Sequence, residues 1–282
     1  MLPVALALVA ALIFALGTVL QQRVAMGASD AEAHSVWFML QLARQPVWWA
    51  GILLTWVGFG FHVAALSNGE IVLVQPILAM TVVFALPLGA RLSAQRIERR
   101  DIGAALLATA GLAVFLVLSN PAAGIDEPGR GAWLVWGGAL FVLAGVLTAS
   151  GLRRRPAVKA TLVGTAAGVL FGLHGAVTKA MTERLHMGID ALVASWAIWA
   201  VLLVALISMA VSQVALQAGD LPPAIATESI VAPVVSVALG LGLYEETLRD
   251  STLGTIGSGL ALLAMLAGVT LLSRREGTRL DL

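Results

Sequence analysis

The sequence predicts an all-α integral membrane protein of about nine transmembrane helices, built as two inverted four-helix repeats plus a linking helix. Three observations lead there. Hydrophobic residues fill 59% of the 282 positions and charged residues only 12%, with a mean hydropathy of +0.94, whereas a soluble domain carries roughly 25% charged residues. The apolar residues form continuous runs close to the roughly 20 residues a helix needs to cross a hydrocarbon core of about 30 Å. The basic residues sit in short clusters between those runs. Only helices and closed barrels satisfy their backbone in lipid, and continuous runs exclude the alternating pattern of a barrel strand.

Taken in order, the spans fall at 2–22, 47–66, 71–91, 101–118, 131–150, 158–181, 190–217, 222–243 and 252–272. The first run follows Met-Leu-Pro with no preceding Lys or Arg, so it lacks the basic leader of a cleavable signal peptide and reads as a retained span. The segment 34–44 (HSVWFMLQLAR) is apolar but too short to cross, and Arg44 and Pro46 bound it. It reads as an interfacial or re-entrant helix. Trp37, Trp48, Trp49, Trp133 and Trp136 fall at span ends as interfacial anchors. The pairs Gly164 with Gly168 and Gly254 with Ser258 mark helix–helix contact.

Alternating the loops across the membrane puts thirteen Lys and Arg on one side and four on the other (Arg130, Lys179, Arg184, Arg249). The positive-inside rule then predicts a cytoplasmic C-terminus and, with nine spans, an outside N-terminus in a multi-pass cell-membrane protein. The chain also resembles itself. A slide of 157 residues sets ALIFALGTVLQQR (11–23) on GVLFGLHGAVTKA (168–180), and a slide of 150 sets AALSNGEI (64–71) on VALQAGDL (214–221). One polytopic domain over 1–282 is therefore expected, with repeats at 2–118 and 158–272, a linking helix at 131–150 and a cytoplasmic tail at 273–282. An odd number of crossings between the repeats makes them antiparallel, the plan of many secondary transporters that bind substrate near midplane.

Through QPVWWAGILLTWVGF (45–59), AALSNGEIVLVQPILAMTVVFALPLGARL (64–92), LFGLHGAVTKA (170–180) and QVALQAGDLPPAIATESIVAPVVSVALGLGLYEE (213–246), the chain resembles the drug/metabolite transporter superfamily (EamA-like). Within it, the chain looks closest to the NIPA-type magnesium-transporter-like branch. The resemblance runs through nearly the whole chain and implies a transporter fold. The loop SNGEIVLVQP (67–76) departs from the Ala-Pro-Ala type turn of the magnesium-associated members.

Polar residues inside the spans supply the candidate substrate-binding groups. An ionisable group there costs at least about 2.5 kcal/mol on insertion scales and usually faces the bundle interior. Glu228, in ATESIVAP, reads as a protonatable or cation-attracting group lining a cavity, or else as a helix-end residue facing headgroups. His174 sits between Gly172 and Gly175 and can change charge near neutral pH; a buried histidine donating to a carbonyl is the alternative. Lys179 near the outer end of the same span can bind solute or snorkel. Gln75 with Pro76, and Pro233, mark places where a proline frees a carbonyl towards a substrate or merely kinks a helix. His62 reads as lining an outer vestibule or as interfacial. The repeat predicts a central cavity lined by spans 1, 3, 6 and 8 and reached by Gln75, His174 and Glu228.

There is no cysteine, so disulfides and thiolate metal sites are excluded. No Walker A, HExxH, GxSxG, kinase or K⁺-filter pattern occurs, so no enzyme and no cofactor is expected. Scattered basic residues and a net charge of +1 argue against nucleic acid. The expected partners are a small-molecule or ion substrate and membrane lipid, with a homodimer compatible. The leading reading is a secondary transporter of a small polar or amphiphilic solute by alternating access, with proton coupling open to Glu228 or His174. A Mg²⁺ or other divalent-cation permease is the first alternative, although Mg²⁺ wants about six oxygens and one or two carboxylates. A non-transporting membrane scaffold is the second.

Overall fold

The computed structural model describes residues 1–25, 44–92, 97–217, 221–248 and 252–280. The interfacial or re-entrant segment expected at 34–44 lies outside them except for Arg44, as do Trp37 and the Gly219–Asp220 part of the repeat. The helices are α1 (Leu2–Ala25), α2 (Pro46–Leu66), α3 (Ile71–Leu78), α4 (Thr81–Leu92), α5 (Arg99–Ser119), α6 (Arg130–Gly151), α7 (Pro156–His186), α8 (Ile189–Ala194), α9 (Trp196–Leu216), α10 (Leu221–Gly242) and α11 (Thr252–Leu280). Among the described residues nine segments are long and apolar enough to cross a membrane, α3 and α4 together forming one of them and α8 none. No strand occurs there, only a bridge between Ala122 and Thr247. This is a multi-pass α-helical membrane protein.

Local chemistry sets the helix ends. Pro46 and Pro156 open α2 and α7 in the first turn, where a missing N–H costs nothing. A reciprocal capping box starts α5: the Glu98 side chain accepts from the third-residue N–H, and the Glu98 N–H donates to Asp101 Oδ2 at 2.8 Å. Asn120 ends α5 in the left-handed region at φ 31°.

The sixth span, expected to end at 181, runs on to His186, and two further boundaries differ from expectation. The hydropathy pattern predicts a seventh span starting at 190, but Ser195 is extended (φ −81°, ψ 154°) and its hydroxyl donates to the Leu192 carbonyl at 2.8 Å. That local bond competes with the helical ladder, so α8 stops and the span begins at Trp196. At the C-terminus α11 continues to Leu280, so most of the expected tail 273–282 is helix.

The bundle is organised around α7, whose apolar stretch is the most enclosed of the nine, at 72% buried. Against α7 pack α6, α9 and α10; α1 packs along α2 and against α3 and α4; α5 pairs with α11; and α3 meets α10. Glycines permit the closest approaches. A Cβ on Gly168 would stand 2.8 Å from Val231 Cβ, and one on Gly172 2.6 Å from Val235 Cβ, so a stripe of hydrogen-only positions on α7 seats α10. Gly111 of α5 meets Met265 of α11, while Gly268 of α11 meets Ala108 and Ala104 of α5.

Candidate functional site

The site begins where the third span breaks. Pro76 has no N–H, so the Val72 carbonyl loses its helical donor. A few residues on the ladder tightens: the Met80 N–H donates to Ile77 O at 3.0 Å, and Thr81 Oγ1 donates to Leu78 O at 2.7 Å. The chain turns at Ala79 and Met80 and restarts as α4. The third helix of the second half, α10, carries Pro233 yet runs unbroken.

Between α3–α4 and α10 lies a cavity of about 220 Å³. Gln75 and Thr81 contribute from the broken span, Glu228 and Pro233 from α10, Phe171 from α7 and Val269 from α11. Two of the three side chains expected to share a cavity, Gln75 and Glu228, therefore do so. The expected lining is corrected in two respects: α1 gives way to α11, and Phe171, one turn before His174, takes the place of the histidine. Beside the break Val269 of α11 closes the gap, while the His174 ring is turned to Phe59 of α2 and Phe14 of α1 packs on His62.

Glu228 is half-buried, and its Oε2 accepts a hydrogen bond of 2.8 Å from Ser212 Oγ on α9. On the other side of the cavity the Gln75 amide is held by its neighbours. Its Nε2 lies 3.3 Å from His62 Nε2, and it packs against Gly175, where any Cβ would strike the amide. His62 is buried at 6% exposure, so the expected vestibular or interfacial position is corrected. Its ring and that of His174 lie 6.0 and 6.2 Å from Phe59, with Phe14 6.5 Å from His62. His62, Gln75 and His174 thus form a polar cluster with aromatic walls beside the cavity.

Lys179 stands in a different constellation. Its Nζ pairs with Glu246 Oε1 at 2.8 Å, with both side chains almost wholly enclosed, and lies 5.3 Å from the Tyr244 ring centroid. Both Glu246 oxygens also accept backbone N–H groups at the start of α3, from Ile71 at 2.7 Å and Val72 at 2.9 Å. A carboxylate at a helix N-terminus satisfies orphan donors and opposes the helix dipole.

The loop after α10 aims Glu246. Ala122 and Thr247 exchange two backbone hydrogen bonds, and Ile125 N–H donates to Tyr244 O at 2.7 Å. Glu245 takes φ 56°. Gly240 leaves room for Glu246 Oε2, which would stand 2.7 Å from a Cβ there. Burial first, then the Glu246 charge, pushes the Tyr244 hydroxyl well above its ordinary pKa; it stays protonated and donates to Ala176 O at 2.8 Å.

Sequence reasoning did not single out Ser212, Phe171 or Glu246. Only Glu246 left a trace, as one of two adjacent carboxylates closing the motif LGLYEE (241–246). Among the described residues no three His, Asp or Glu side chains converge in a metal-ligating group.

No family model matches the sequence, and no solved structure matches it. The chain is 31% identical to an uncharacterized protein of Corynebacterium glutamicum, across 97% of this chain and 95% of that protein. With identity at that level over nearly the full length of both, this chain belongs to the same family as the Corynebacterium glutamicum protein.

Proposed function

We propose that this protein is a secondary transporter that moves a small polar or amphiphilic solute across the cell membrane by alternating access. The observation that carries the reading is the partly open pocket of about 220 Å³ between α3–α4 and α10, which Gln75 from the first half and Glu228 from the second line together. Polar groups facing an internal cavity are the usual reason for an ionisable residue to persist inside a span. The volume lies just under the roughly 300–1,000 Å³ of drug-sized ligand pockets, which favours a small solute.

The helix packing supports an inverted-repeat plan, as this reading requires. In the first half α1 packs along α2 and the broken third span; in the second α7 packs along α9 and α10. The third span of each half carries a proline, Pro76 and Pro233, and these two spans meet each other. The chain would then belong with the drug/metabolite transporters, its C-terminus in the cytoplasm as the thirteen-to-four split of basic residues implies. Glu228 is the residue through which a proton or the charge of the solute would couple.

The test is transport into proteoliposomes, screened over amino acids, cationic amphiphiles and Mg²⁺, with and without a pH gradient. Saturable flux of an organic solute that Glu228→Gln abolishes is the expected result. Saturable Mg²⁺ flux alone would move the assignment to a cation permease, and no flux of any kind would end the transporter reading.

A further inference from the structure

A second, larger space opens on the flank of the bundle, between α6, α7 and α9, with a volume of about 890 Å³. Its two ends differ in chemistry. At one end stand two carboxylates, Asp126 and Glu127, and two guanidinium groups, Arg130 and Arg184, of which Arg184 and Glu127 pair at 3.1 Å. Below them Trp133 and Trp196 meet edge to face at 5.2 Å. From there inward the walls are apolar, with Leu134, Phe141, Leu173 and Val204 among them.

The depth of this groove is informative. From Arg130 to Phe141 along α6 is a rise of about 16 Å at about 1.5 Å per residue, and the same rise separates Arg184 from Leu173 on α7. One leaflet is half of a hydrocarbon core of about 30 Å. Beyond Phe141 the groove ends because Ala144 is buried against Ala166, Val169 and Leu170 of α7. A crossing partner helix would need a seat through both leaflets; this one stops at the middle. Room inside comes from Gly137 and Gly138 of α6, both in the lining, where an added Cβ would meet nothing within 4 Å.

We propose that this groove is a binding site for a zwitterionic phospholipid of the leaflet at whose surface Arg130 and Arg184 lie. The phosphate faces those two arginines, the ammonium faces Asp126 and Glu127, and an acyl chain runs down the apolar wall past Gly137 and Gly138. Two acids beside two bases complement a headgroup carrying both signs; a purely anionic headgroup would gain the arginines but meet both carboxylates. The site is separate from the cavity at Glu228, so lipid binding and transport stand or fall independently.

The test is native mass spectrometry of the purified full chain titrated with phosphatidylethanolamine or with phosphatidylglycerol of the same acyl chains. Phosphatidylethanolamine should bind at a concentration at least tenfold lower. Gly138→Trp, and as a second filling variant Gly137→Leu, should weaken that binding at least tenfold while the protein elutes as the same monodisperse species. Gly103→Trp, equally open but on α5 outside the groove, should bind as the wild type does, and so should Glu228→Gln. Equal binding of the two lipids, binding of neither, or binding that survives in both folded filling variants would overturn the proposal.

Discussion

Ser212 Oγ donates a hydrogen bond of 2.8 Å to Glu228 Oε2, tying the carboxylate of α10 to α9 at the edge of the pocket shared with Gln75. Glu228→Gln keeps the shape and an acceptor oxygen for that bond while removing the charge. The expected outcome is a folded protein with unchanged elution and at least a hundredfold slower coupled flux. Ser212→Ala leaves the carboxylate in place and should slow flux less than Glu228→Gln does, since it removes one hydrogen bond, with a net worth of about 1.5–3 kcal/mol to a charged acceptor. Proteoliposome rates for the two variants, measured side by side, check both.

The Lys179–Glu246 pair gives a stability prediction. Removing one partner of an enclosed ion pair leaves an uncompensated charge and costs about 3–5 kcal/mol. Lys179→Met alone should therefore lower thermal stability sharply. In the double variant with Glu246→Gln no bare charge remains, and the amide oxygen can still accept from the start of α3. Melting of the detergent-solubilised protein should show the double variant more stable than Lys179→Met; an additive loss would mean that the two residues do not act as a unit.

Helix contact can be separated from open surface by two glycines. Gly172→Leu drives a side chain into Val235 and the Ala232 carbonyl, 2.6 and 2.8 Å from the new Cβ, whereas Gly145→Leu on α6 meets nothing within 4 Å. Overpacking costs about 1–3 kcal/mol, so the first variant should lose folded yield and the second should not. Size-exclusion profiles of the expressed variants decide it.

Orientation is open to labelling, because the chain has no native cysteine. A cysteine at the exposed Ala123, between α5 and α6, should react with an impermeant thiol reagent added to intact cells. Cysteines at Arg153, and at Ser93 outside the described residues, should react only after permeabilisation. The reverse pattern would invert the topology.

The spans were legible because crossing lipid is a local demand: each run must be apolar over its own length, whatever it packs against. What could not be read were relationships between distant residues. Glu246 lies just beyond the eighth span, where adjacent carboxylates read as an ordinary loop end, yet its partners Ile71 and Val72 are 175 and 174 residues away. His62 sits near a span end, where sequence alone admits a surface position; it is buried because Gln75 comes to it across a turn. Pro76 drew attention to the third span, but the break falls at Ala79 and Met80, where Thr81 bonds back to Leu78. Hydropathy places the start of the seventh span too early because Ile189–Ala194 is apolar enough to join it, and the extended Ser195 gives no hydropathy signal.

The capping of α3 by Glu246 also has a timetable. The Ile71 N–H leaves the ribosome 175 residues before the carboxylate that accepts it, an interval of roughly 9–35 s at about 5–20 residues per second of synthesis. Throughout that time the first turn of α3 must hold its donors towards water, headgroups or the insertion machinery. A chain halted just before residue 246 would carry all of the first half and most of the second with this helix end still unmet. The final assembly of the first half thus depends on a loop made 175 residues later.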